Sequence, residues 1–381
     1  MTLPLARGTA LGLPGAVPAE GRLAGGDAHY GQPVAEQRRL ARGGAFVVVG
    51  DRSAVRVTGE DRLSWLHSLA SQDFQSLSPG ESRRALFLTG QGRVDVDVDV
   101  VASETAVYLI SQREDAARLA SFLERMRFML RVEVENLADS HALLGWRPGG
   151  AWPEAADAAI AEAALVLFED PWAQSAVGGY TYLTAEAAAH LQAADYRWTE
   201  ALVPQGSLQG LVAALLETGL TPAGLLAREA QRIMALKPAA GAETDERTVP
   251  HELDLLRTSV HLAKGCYKGQ ETVARVHNLG HPPRRLVFLE IDGSAHTLPA
   301  PGSEVFVSGA EDGRPIGTLT SVALHEEAGP IGLAVVKRTA DAAADLVVVD
   351  EGERYAAAQT PVVAPDAGSV VGRPSGIRRL S

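Results

Sequence analysis

Alternating and helical patterns of apolar residues succeed one another along the N-terminal and central parts of the chain. A period of two residues predicts strands, at residues 45–49, 55–57 and 85–110. Apolar residues at helical spacing predict helices, at residues 113–129, 208–219 and 223–236. Strands and helices in this mixed order, joined by short connections, indicate an α+β fold rather than a doubly wound parallel sheet.

The pattern changes after residue 283, where short apolar runs are separated by Gly, Pro and Asp. The runs predict strands, at residues 285–291, 304–307, 316–321 and 331–336. Several short strands with turn residues between them are typical of a small β-barrel or β-sandwich. We therefore expect a C-terminal β-barrel domain over residues 284–362.

The 381 residues exceed the size at which a single hydrophobic core stops growing, so two or three domains are expected. An N-terminus rich in Gly, Pro and Ala, with little periodicity, predicts a partly ordered lead-in, and the last residues predict a flexible tail. Beside the barrel, the predicted segments are the lead-in at 1–43, a first α+β domain at 44–145, a second α+β domain at 146–283 and the tail at 363–381.

Composition and charge narrow the classes of function. A net charge of −12 argues against broad binding to nucleic acids or anionic membranes, because both need a basic surface. No apolar run approaches the roughly 18 residues that a membrane-spanning helix needs. The N-terminus lacks the pattern of a signal peptide, and the chain has a single cysteine. Together these features predict a cytoplasmic protein.

The single cysteine, Cys266, lies in a glycine-containing stretch between Lys264 and Lys268. Nearby positive charge favours the thiolate, which is the form that acts as a nucleophile or soft-metal ligand. A free cysteine is also a common small buried hydrophobe, so the residue type alone leaves both interpretations open. A Cys–His nucleophile pair is a further hypothesis, because four histidines flank the stretch: His251, His261, His277 and His281.

Valine and aspartate alternate strictly from residue 94 to residue 100, which places Asp95, Asp97 and Asp99 on one face of a strand. One interpretation is a half-buried strand with a solvated acidic face. The other is that one carboxylate points into a ligand cleft, as a hydrogen-bond acceptor or general base. The spacing is wide for a shared ion and no histidines cluster there, so no metal site is predicted.

Residues 264–271, Lys-Gly-Cys-Tyr-Lys-Gly-Gln-Glu, resemble the K-G-C-Y-x-G-Q-E signature of the YgfZ family at all seven specified positions. These folate-binding proteins are related to the T-protein (aminomethyltransferase) of the glycine cleavage system. The segments at residues 52–66, 90–94 and 248–252 are also similar to the family. The resemblance runs from about residue 43 to residue 340.

The resemblance implies three domains around a central opening that binds folate, the third being a small β domain. It also implies a tetrahydrofolate-dependent role in the assembly or repair of iron-sulfur proteins, linked in some bacteria to tRNA modification through iron-sulfur enzymes. The expected partners are iron-sulfur client proteins or assembly factors, with no direct contact to nucleic acid. The signature makes Cys266 a candidate catalytic residue, with Lys264 and Tyr267 as candidate folate-binding neighbours.

In the T-protein relatives, the aspartate of a G-G-[IV]-x-D-D stretch holds the folate nitrogen. Alignment on Gly92 puts Asp97 at this position, as a candidate catalytic and folate-binding residue. The sequence departs from the pattern at Arg93 and Val96, and Leu183 replaces a glutamate that contacts the pterin in the relatives. The folate is therefore held either differently or more weakly than in those relatives.

Arg228 and Arg232 lie four residues apart on a predicted helix, so both lie on one face. Arginine suits bidentate carboxylate recognition, which makes them candidates for the glutamate tail of the folate, although ordinary salt bridges explain them as well. Three functions stay open: an iron-sulfur maintenance factor that binds tetrahydrofolate, a folate-dependent aminomethyl or one-carbon transferase, and a non-catalytic folate-binding or docking module.

Overall fold

The computed structural model describes residues 12–371 of the chain. The strands are β1 (Val17–Pro18), β2 (Asp27–His29), β3 (Ala45–Val48), β4 (Arg52–Thr58), β5 (Ser82–Leu88), β6 (Val94–Ala102), β7 (Ala106–Gln112), β8 (Glu133–Asn136), β9 (His141–Trp146), β10 (Val166–Glu169), β11 (Thr199–Pro204), β12 (Thr221–Pro222), β13 (Arg284–Ile291), β14 (Glu304–Val307), β15 (Gly317–His325), β16 (Gly329–Lys337), β17 (Leu346–Asp350) and β18 (Glu353–Pro361). The α-helices are α1 (Pro33–Ala41), α2 (Arg62–Leu69), α3 (Arg113–Met126), α4 (Glu154–Ala163), α5 (Ala185–Ala193), α6 (Gln205–Glu217), α7 (Leu225–Met234), α8 (Leu256–Ser259) and α9 (Gln270–Asn278). Most of the strands form two five-stranded sheets and one closed barrel.

The first sheet has the strand order β5-β6-β7-β4-β8, and each neighbouring pair is antiparallel. Leu66 of α2 and Leu119 of α3 belong to the core that covers one face, with the alternate residues Val96, Val98 and Val100 of β6. Since successive side chains of a strand point to opposite faces, the aspartates of β6 face away from this core. The predicted alternation of β6 is confirmed.

The second sheet has the strand order β10-β11-β9-β3-β12. Strand β3 lies inside the predicted first domain, yet it pairs with β9 and β12 of the second sheet. Strand β3 joins the second sheet because its side chains Phe46 and Val48 are buried in one core with Leu208 and Leu211 of α6. The largest core cluster contains residues of both sheets, such as Leu86 and Leu202. The domain boundaries themselves stay a prediction.

The C-terminal strands close into a six-stranded barrel in the order β13-β16-β15-β14-β17-β18. Its core contains apolar side chains from alternate positions, including Val287, Leu319, Val336 and Val348. The predicted β-barrel is confirmed. The sequence pattern also fitted a β-sandwich, but the six strands close on themselves, so the domain is a barrel. Strands β17 and β18 were not predicted from the sequence.

The described parts of the two terminal segments, residues 12–43 and 363–371, form more contacts than their composition suggests. In the predicted lead-in, β1 pairs with β2, and the helix α1 buries Leu40 completely. In the predicted flexible tail, Val363 bridges to Leu183 and Ala367 is buried, so part of residues 363–371 packs against the rest of the protein, while the bounds of the tail stay a prediction. The small residues of these two segments give no periodic apolar pattern in the sequence, but in the structure they pack against the rest of the protein. Residues 1–11 and 372–381 lie outside the described part.

Candidate functional site

A cavity lies between the two sheets and α7. Its inner chamber, of about 70 Å³, is lined by polar side chains such as Arg84 and Asp97 and by the aromatic residues Tyr196 and Trp198. A wider outer chamber of about 750 Å³ shares Asp97 with it and is open to solvent. The inner chamber alone is smaller than a usual small-molecule site, but the outer chamber that adjoins it at Asp97 has the size of one, and the inner chamber combines aromatic walls with polar groups.

Asp97 lies on the wall common to both chambers. It is 9% exposed, and its Oδ2 accepts a hydrogen bond of 2.7 Å from Nη2 of Arg84. Its Oδ1 is buried and has no hydrogen-bond partner among the described residues. Burial raises the pKa of Asp97 above its ordinary value. Asp97 therefore offers one free acceptor to a ligand, and its raised pKa suits a general base.

The other two aspartates of β6 have different environments. Asp95 is exposed and pairs with an arginine of α3. Asp99 is buried and forms ion pairs with Arg52 at 2.5 Å and Arg84 at 3.1 Å. Burial alone would raise the pKa of Asp99, but the charges of Lys237, Arg52 and Arg84 lower it below its ordinary value. The interpretation as a solvated acidic face therefore holds for Asp95 alone.

Arg228 of α7 lines the inner chamber, and so does Arg232. Its Nη2 donates to Oδ2 of Asp51 at 2.5 Å. Its Nη1 is buried without a hydrogen-bond partner among residues 12–371. Arg228 therefore keeps a free donor for a ligand.

Arg232, one turn further along α7, has no donor left for a ligand. Its Nε and Nη2 donate to Glu229, its Nη1 donates to Glu243 and to the carbonyl of Lys237, and its Nη2 also donates to Oγ of Ser321. All five N–H groups of the guanidinium are in use. These contacts tie α7 to its surroundings, and binding of the folate tail by Arg232 stays a prediction.

The lining of the inner chamber is close to charge balance. Its cations are Arg22, Arg52, Arg84, Arg228, Arg232 and Lys237, and the carboxylates paired with them are Asp51, Asp97, Asp99, Asp170, Glu200, Glu229 and Glu243. The free groups are the acceptor Oδ1 of Asp97 and the Nη1 donors of Arg84 and Arg228. This lining suits a neutral head group that carries both N–H donors and carbonyl acceptors.

Lys264 of the signature stretch is a structural anchor. Its Nζ donates to the backbone carbonyls of His67, Ala70 and Gln72, at 2.5, 2.6 and 2.9 Å. These three bonds use all the donors of an ammonium group and cap the C-terminus of α2. Burial lowers the pKa of Lys264 to about 8. Its donors hold the signature stretch against the first sheet and α2, and a contact of Lys264 with the folate stays a prediction.

Tyr267 is buried and belongs to the main core. Nζ of Lys264 lies 5.1 Å from the centroid of its ring, and burial raises the pKa of its hydroxyl. Tyr267 lines neither chamber. The ring packs under the anchored lysine, and its contact with the folate stays a prediction.

Cys266 is a free, exposed thiol between these two buried neighbours. Within residues 12–371 it forms no hydrogen bond with a histidine, so the structure offers no support for a Cys–His pair. The flanking histidines contact other groups: His251 the carbonyl of Val273, His277 the hydroxyl of Tyr182, and His281 the carbonyl of Ala367. Cys266 is accessible to partners and reagents in the folded chain.

Two glycines join the signature stretch to the strand that carries Asp97. Gly269 has a φ of +84° and Gly92 a φ of +72°, in the left-handed region that favours glycine. A Cβ on Gly269 would lie 2.9 Å from Cα of Gly92 and 2.6 Å from the carbonyl oxygen of Thr89. Sequence reasoning missed this contact, although the Gly-x-Gly turn before β6 was a signal for it.

Arg84 was also missed by the sequence analysis. On β5 it pairs in register with Asp99 of β6, and it contacts the carboxylates of both Asp97 and Asp99. An arginine on a strand beside an aspartate-bearing strand is a usable signal, because opposite charges on neighbouring strands attract. Two residues that depart from the pattern of the relatives lie away from both chambers. Val96 belongs to the core of the first sheet, and Leu183 lines a separate surface groove.

The chain matches no protein-family model. It is 26% identical to a candidate chloroplastic transferase of Arabidopsis thaliana over 327 residues, which cover 84% of this chain and 72% of the relative. It is 24% identical to the tRNA-modifying protein YgfZ of Photobacterium profundum, over 81% of this chain and 88% of the relative. An aminomethyltransferase of Nitrosococcus oceani is 24% identical over 60% of each chain. These similarities confirm the resemblance to YgfZ proteins and aminomethyltransferases.

Among solved structures, aminomethyltransferase T of the glycine cleavage system from Bartonella henselae is similar, with a TM-score of 0.69 and 19% sequence identity. The superposition covers 92% of this chain and 93% of that protein. The predicted fold class is confirmed: an α+β, T-protein-like fold with a closed β-barrel at its C-terminus.

Proposed function

We propose that this protein binds a tetrahydrofolate at Asp97 and supports the assembly or repair of iron-sulfur proteins through the thiol of Cys266. The observation that carries the proposal is the packing of the two motifs. The stretch with the YgfZ signature presents an exposed thiol, and its Gly269 contacts the turn before β6, whose Asp97 keeps a free buried acceptor.

The free groups of the inner chamber fit the pterin head of a folate. A pterin carries N–H donors and a carbonyl acceptor on a flat ring. Oδ1 of Asp97 would accept from an N–H group, while Arg84 and Arg228 would donate to the carbonyl. Tyr196 and Trp198 supply aromatic walls for the ring. The tail would then extend towards the outer chamber, which opens to solvent.

Cys266 would act either as a nucleophile towards a client or as a transient ligand for a soft metal. One cysteine supplies one thiolate, so a stable cluster would need ligands from a second chain or from a small thiol. Within residues 12–371 no group of His, Cys, Asp or Glu is arranged to hold a metal ion. The proposed clusters are therefore cargo of the client proteins.

Two measurements test the proposal separately. Calorimetric titration with tetrahydrofolate should show binding to the wild type and a loss of about 10-fold or more in Asp97→Asn, since hydrogen bonds to charged groups contribute about 1.5–3 kcal/mol. In a bacterial strain that lacks its own YgfZ protein, Cys266→Ala should lose the support of iron-sulfur enzymes. Absence of folate binding, or full support by Cys266→Ala, contradicts the proposal.

A folate-dependent one-carbon transferase is the second candidate, because the raised pKa of Asp97 suits a proton acceptor beside the folate nitrogen. An assay for tetrahydrofolate-dependent transfer of an aminomethyl or methyl group decides it. A docking module is the third candidate. Its premise that Cys266 is merely packed is wrong, because the thiol is exposed.

A cytoplasmic location stays part of the proposal. Among the described residues, none of the helices combines the length and apolar character needed to cross a membrane. The Arabidopsis relative is chloroplastic by its name. Cell fractionation with an antibody against the chain tests the compartment.

A further inference from the structure

An ion pair between Asp51 and Arg228 spans the two chambers of the cavity. Arg228 lines the inner chamber and Asp51 lines the outer chamber, while Asp97 lines both. Asp51 is 2% exposed, so its carboxylate has been taken out of water. The folate contacts proposed above use Asp97, Arg84 and Arg228, and they leave Asp51 with no role beyond its contact with Arg228.

The ion pair uses only half of the hydrogen-bonding capacity on each side. Nη2 of Arg228 donates to Oδ2 of Asp51 at 2.5 Å. Arginine and carboxylate groups often pair through two parallel hydrogen bonds. Here, however, Oδ1 of Asp51 and Nη1 of Arg228 are buried, and neither has a hydrogen-bond partner between residues 12 and 371. Because buried polar groups without partners are rare and costly, the pair offers one acceptor and one donor to a ligand.

The position of Asp51 is fixed by the backbone around it. Asp51 lies in the turn between β3 and β4, and its carbonyl oxygen accepts a hydrogen bond of 3.0 Å from the amide of Arg113. A Cβ on the preceding Gly50 would lie 2.0 Å from the carbonyl oxygen of Gly25, so the turn packs closely against another segment. The next residue, Arg52, forms two buried ion pairs. A group held in this way loses little entropy when a ligand binds.

An acceptor and a donor on one ion pair match one edge of a pterin. In a 4-oxo pterin, the ring nitrogen N3 carries a hydrogen, and the neighbouring carbon C4 carries a carbonyl oxygen. Oδ1 of Asp51 would accept from N3–H, and Nη1 of Arg228 would donate to the carbonyl oxygen. A 4-amino pterin has the reverse pattern, because its N3 is an acceptor and its amino group is a donor. Such a ring would leave both protein groups buried and unpaired.

We propose that Asp51 and Arg228 recognise the N3–H and 4-oxo edge of the pterin, so that the site binds 4-oxo folates and rejects 4-amino folates. The pterin would then lie where the two chambers adjoin, and Asp97 would accept from another N–H group of the same ring. This inference rests on the proposed function, because it adds a specificity-determining residue to the proposed folate site.

The test compares two ligands by calorimetric titration, tetrahydrofolate and its 4-amino analogue tetrahydroaminopterin. The buffer is mildly alkaline, so that the ring of the analogue is unprotonated. The wild type should prefer tetrahydrofolate by about 100-fold or more, since a site built to bond an N–H group strongly rejects an analogue that lacks it. In Asp51→Asn the preference should fall to about 10-fold or less, because an amide can donate as well as accept. Arg228→Lys should lower the preference as well, because lysine lacks the second nitrogen of the guanidinium.

Asp27→Asn is the matched control. Asp27 is also 2% exposed, and its Oδ1 is likewise buried without a hydrogen-bond partner in the described part of the chain, but it lines neither chamber. Its Oδ2 accepts a hydrogen bond from the hydroxyl of Tyr30. The Asp27→Asn variant should keep the wild-type affinities for both ligands.

The possible failures are distinguishable. Equal affinity of the wild type for the two ligands overturns the inference and leaves the proposed function standing, because tetrahydrofolate still binds. Binding of neither ligand contradicts the proposed function and the inference with it. An equal loss of affinity for both ligands in Asp51→Asn and in Arg228→Lys assigns a structural role to the ion pair and overturns the inference. If Asp51→Asn fails to fold by circular dichroism, the wild type and Arg228→Lys still decide.

Discussion

Gly92 and Gly269 touch across the interface between the turn before β6 and the start of α9, and both adopt left-handed backbone conformations. The contact connects the segment of Asp97 with the segment of Cys266, which are far apart in the sequence. A Cβ on Gly92 would lie 2.7 Å from Cβ of Thr272, so neither side has room for a side chain. The relative position of thiol and cavity therefore depends on the absence of two side chains.

Gly269→Ala should destabilise the fold, because its Cβ would lie 2.6 Å from the carbonyl oxygen of Thr89 in addition to the left-handed strain. Gly219 is the matched control, since its φ of +89° is similar and no atom lies within 4 Å of the added Cβ. We expect about 1–2 kcal/mol of lost unfolding free energy for Gly219→Ala and clearly more for Gly269→Ala, measured by urea denaturation. Equal losses would show that the contact with the turn relaxes freely.

How far the fold could be predicted depends on whether burial leaves a periodic signal. Strand β6 and helix α3 each bury one face, so their periods of two and 3.6 residues were readable. Helix α3 ends at Met126 rather than at residue 129, because Phe128 takes a positive φ that no apolar pattern reports. The buried Ala367 of the predicted tail gave no signal either, since it is packed by residues remote in sequence.

The sequence also could not show which charged residues of the candidate site already have partners in the folded protein. The alternation around Asp97 and the resemblance together located the residue that keeps a free buried acceptor. By residue type, Lys264 and Arg232 were as good candidates for ligand binding as Asp97. In the structure, however, their N–H donors already form hydrogen bonds with other protein groups. Their partners, such as Ala70 and Ser321, are far away in the sequence, so only the folded structure shows that these cations are occupied.

Lys264→Met should destabilise the protein by about 2–4 kcal/mol, because it leaves carbonyls at the end of α2 without their donor. Lys268→Met is the control from the same stretch, since Lys268 is exposed, and it should change the unfolding free energy by less than about 0.5 kcal/mol. Chemical denaturation of both variants measures the difference. A loss of the same size in both would contradict the anchoring role.

Cys266→Ala should leave the unfolding free energy within about 0.5 kcal/mol of the wild type, because the thiol is exposed and loses no packing. For the same reason, the wild-type thiol should react with iodoacetamide in the native state as readily as in urea at equal pH. Mass spectrometry of the alkylated protein measures both rates. Reaction only after unfolding would show that the thiol is protected in solution.

His251 should make the stability depend on pH. It is fully buried, and burial lowers its pKa to about 3, below the ordinary value of 6.5. Between these values the unfolded chain binds a proton that the folded chain does not, so stability should fall as the pH drops from about 6.5. One proton gives at most about 1.4 kcal/mol per pH unit. In His251→Gln, urea denaturation from pH 7 to pH 5 should show a shallower fall than in the wild type.

Folate binding should weaken at acidic pH because of Asp97. The proposed contact needs the ionised carboxylate as acceptor, and burial raises the pKa of this group, so protonation occurs at a higher pH than for an ordinary aspartate. The affinity for tetrahydrofolate should therefore fall as the pH drops towards the raised pKa, by up to 10-fold per pH unit. Calorimetric titration at a series of pH values measures this fall. Asp97→Asn should bind weakly at every pH, because its amide stays neutral. A pH dependence that survives in Asp97→Asn would assign the titrating group elsewhere and separate folate binding from this carboxylate.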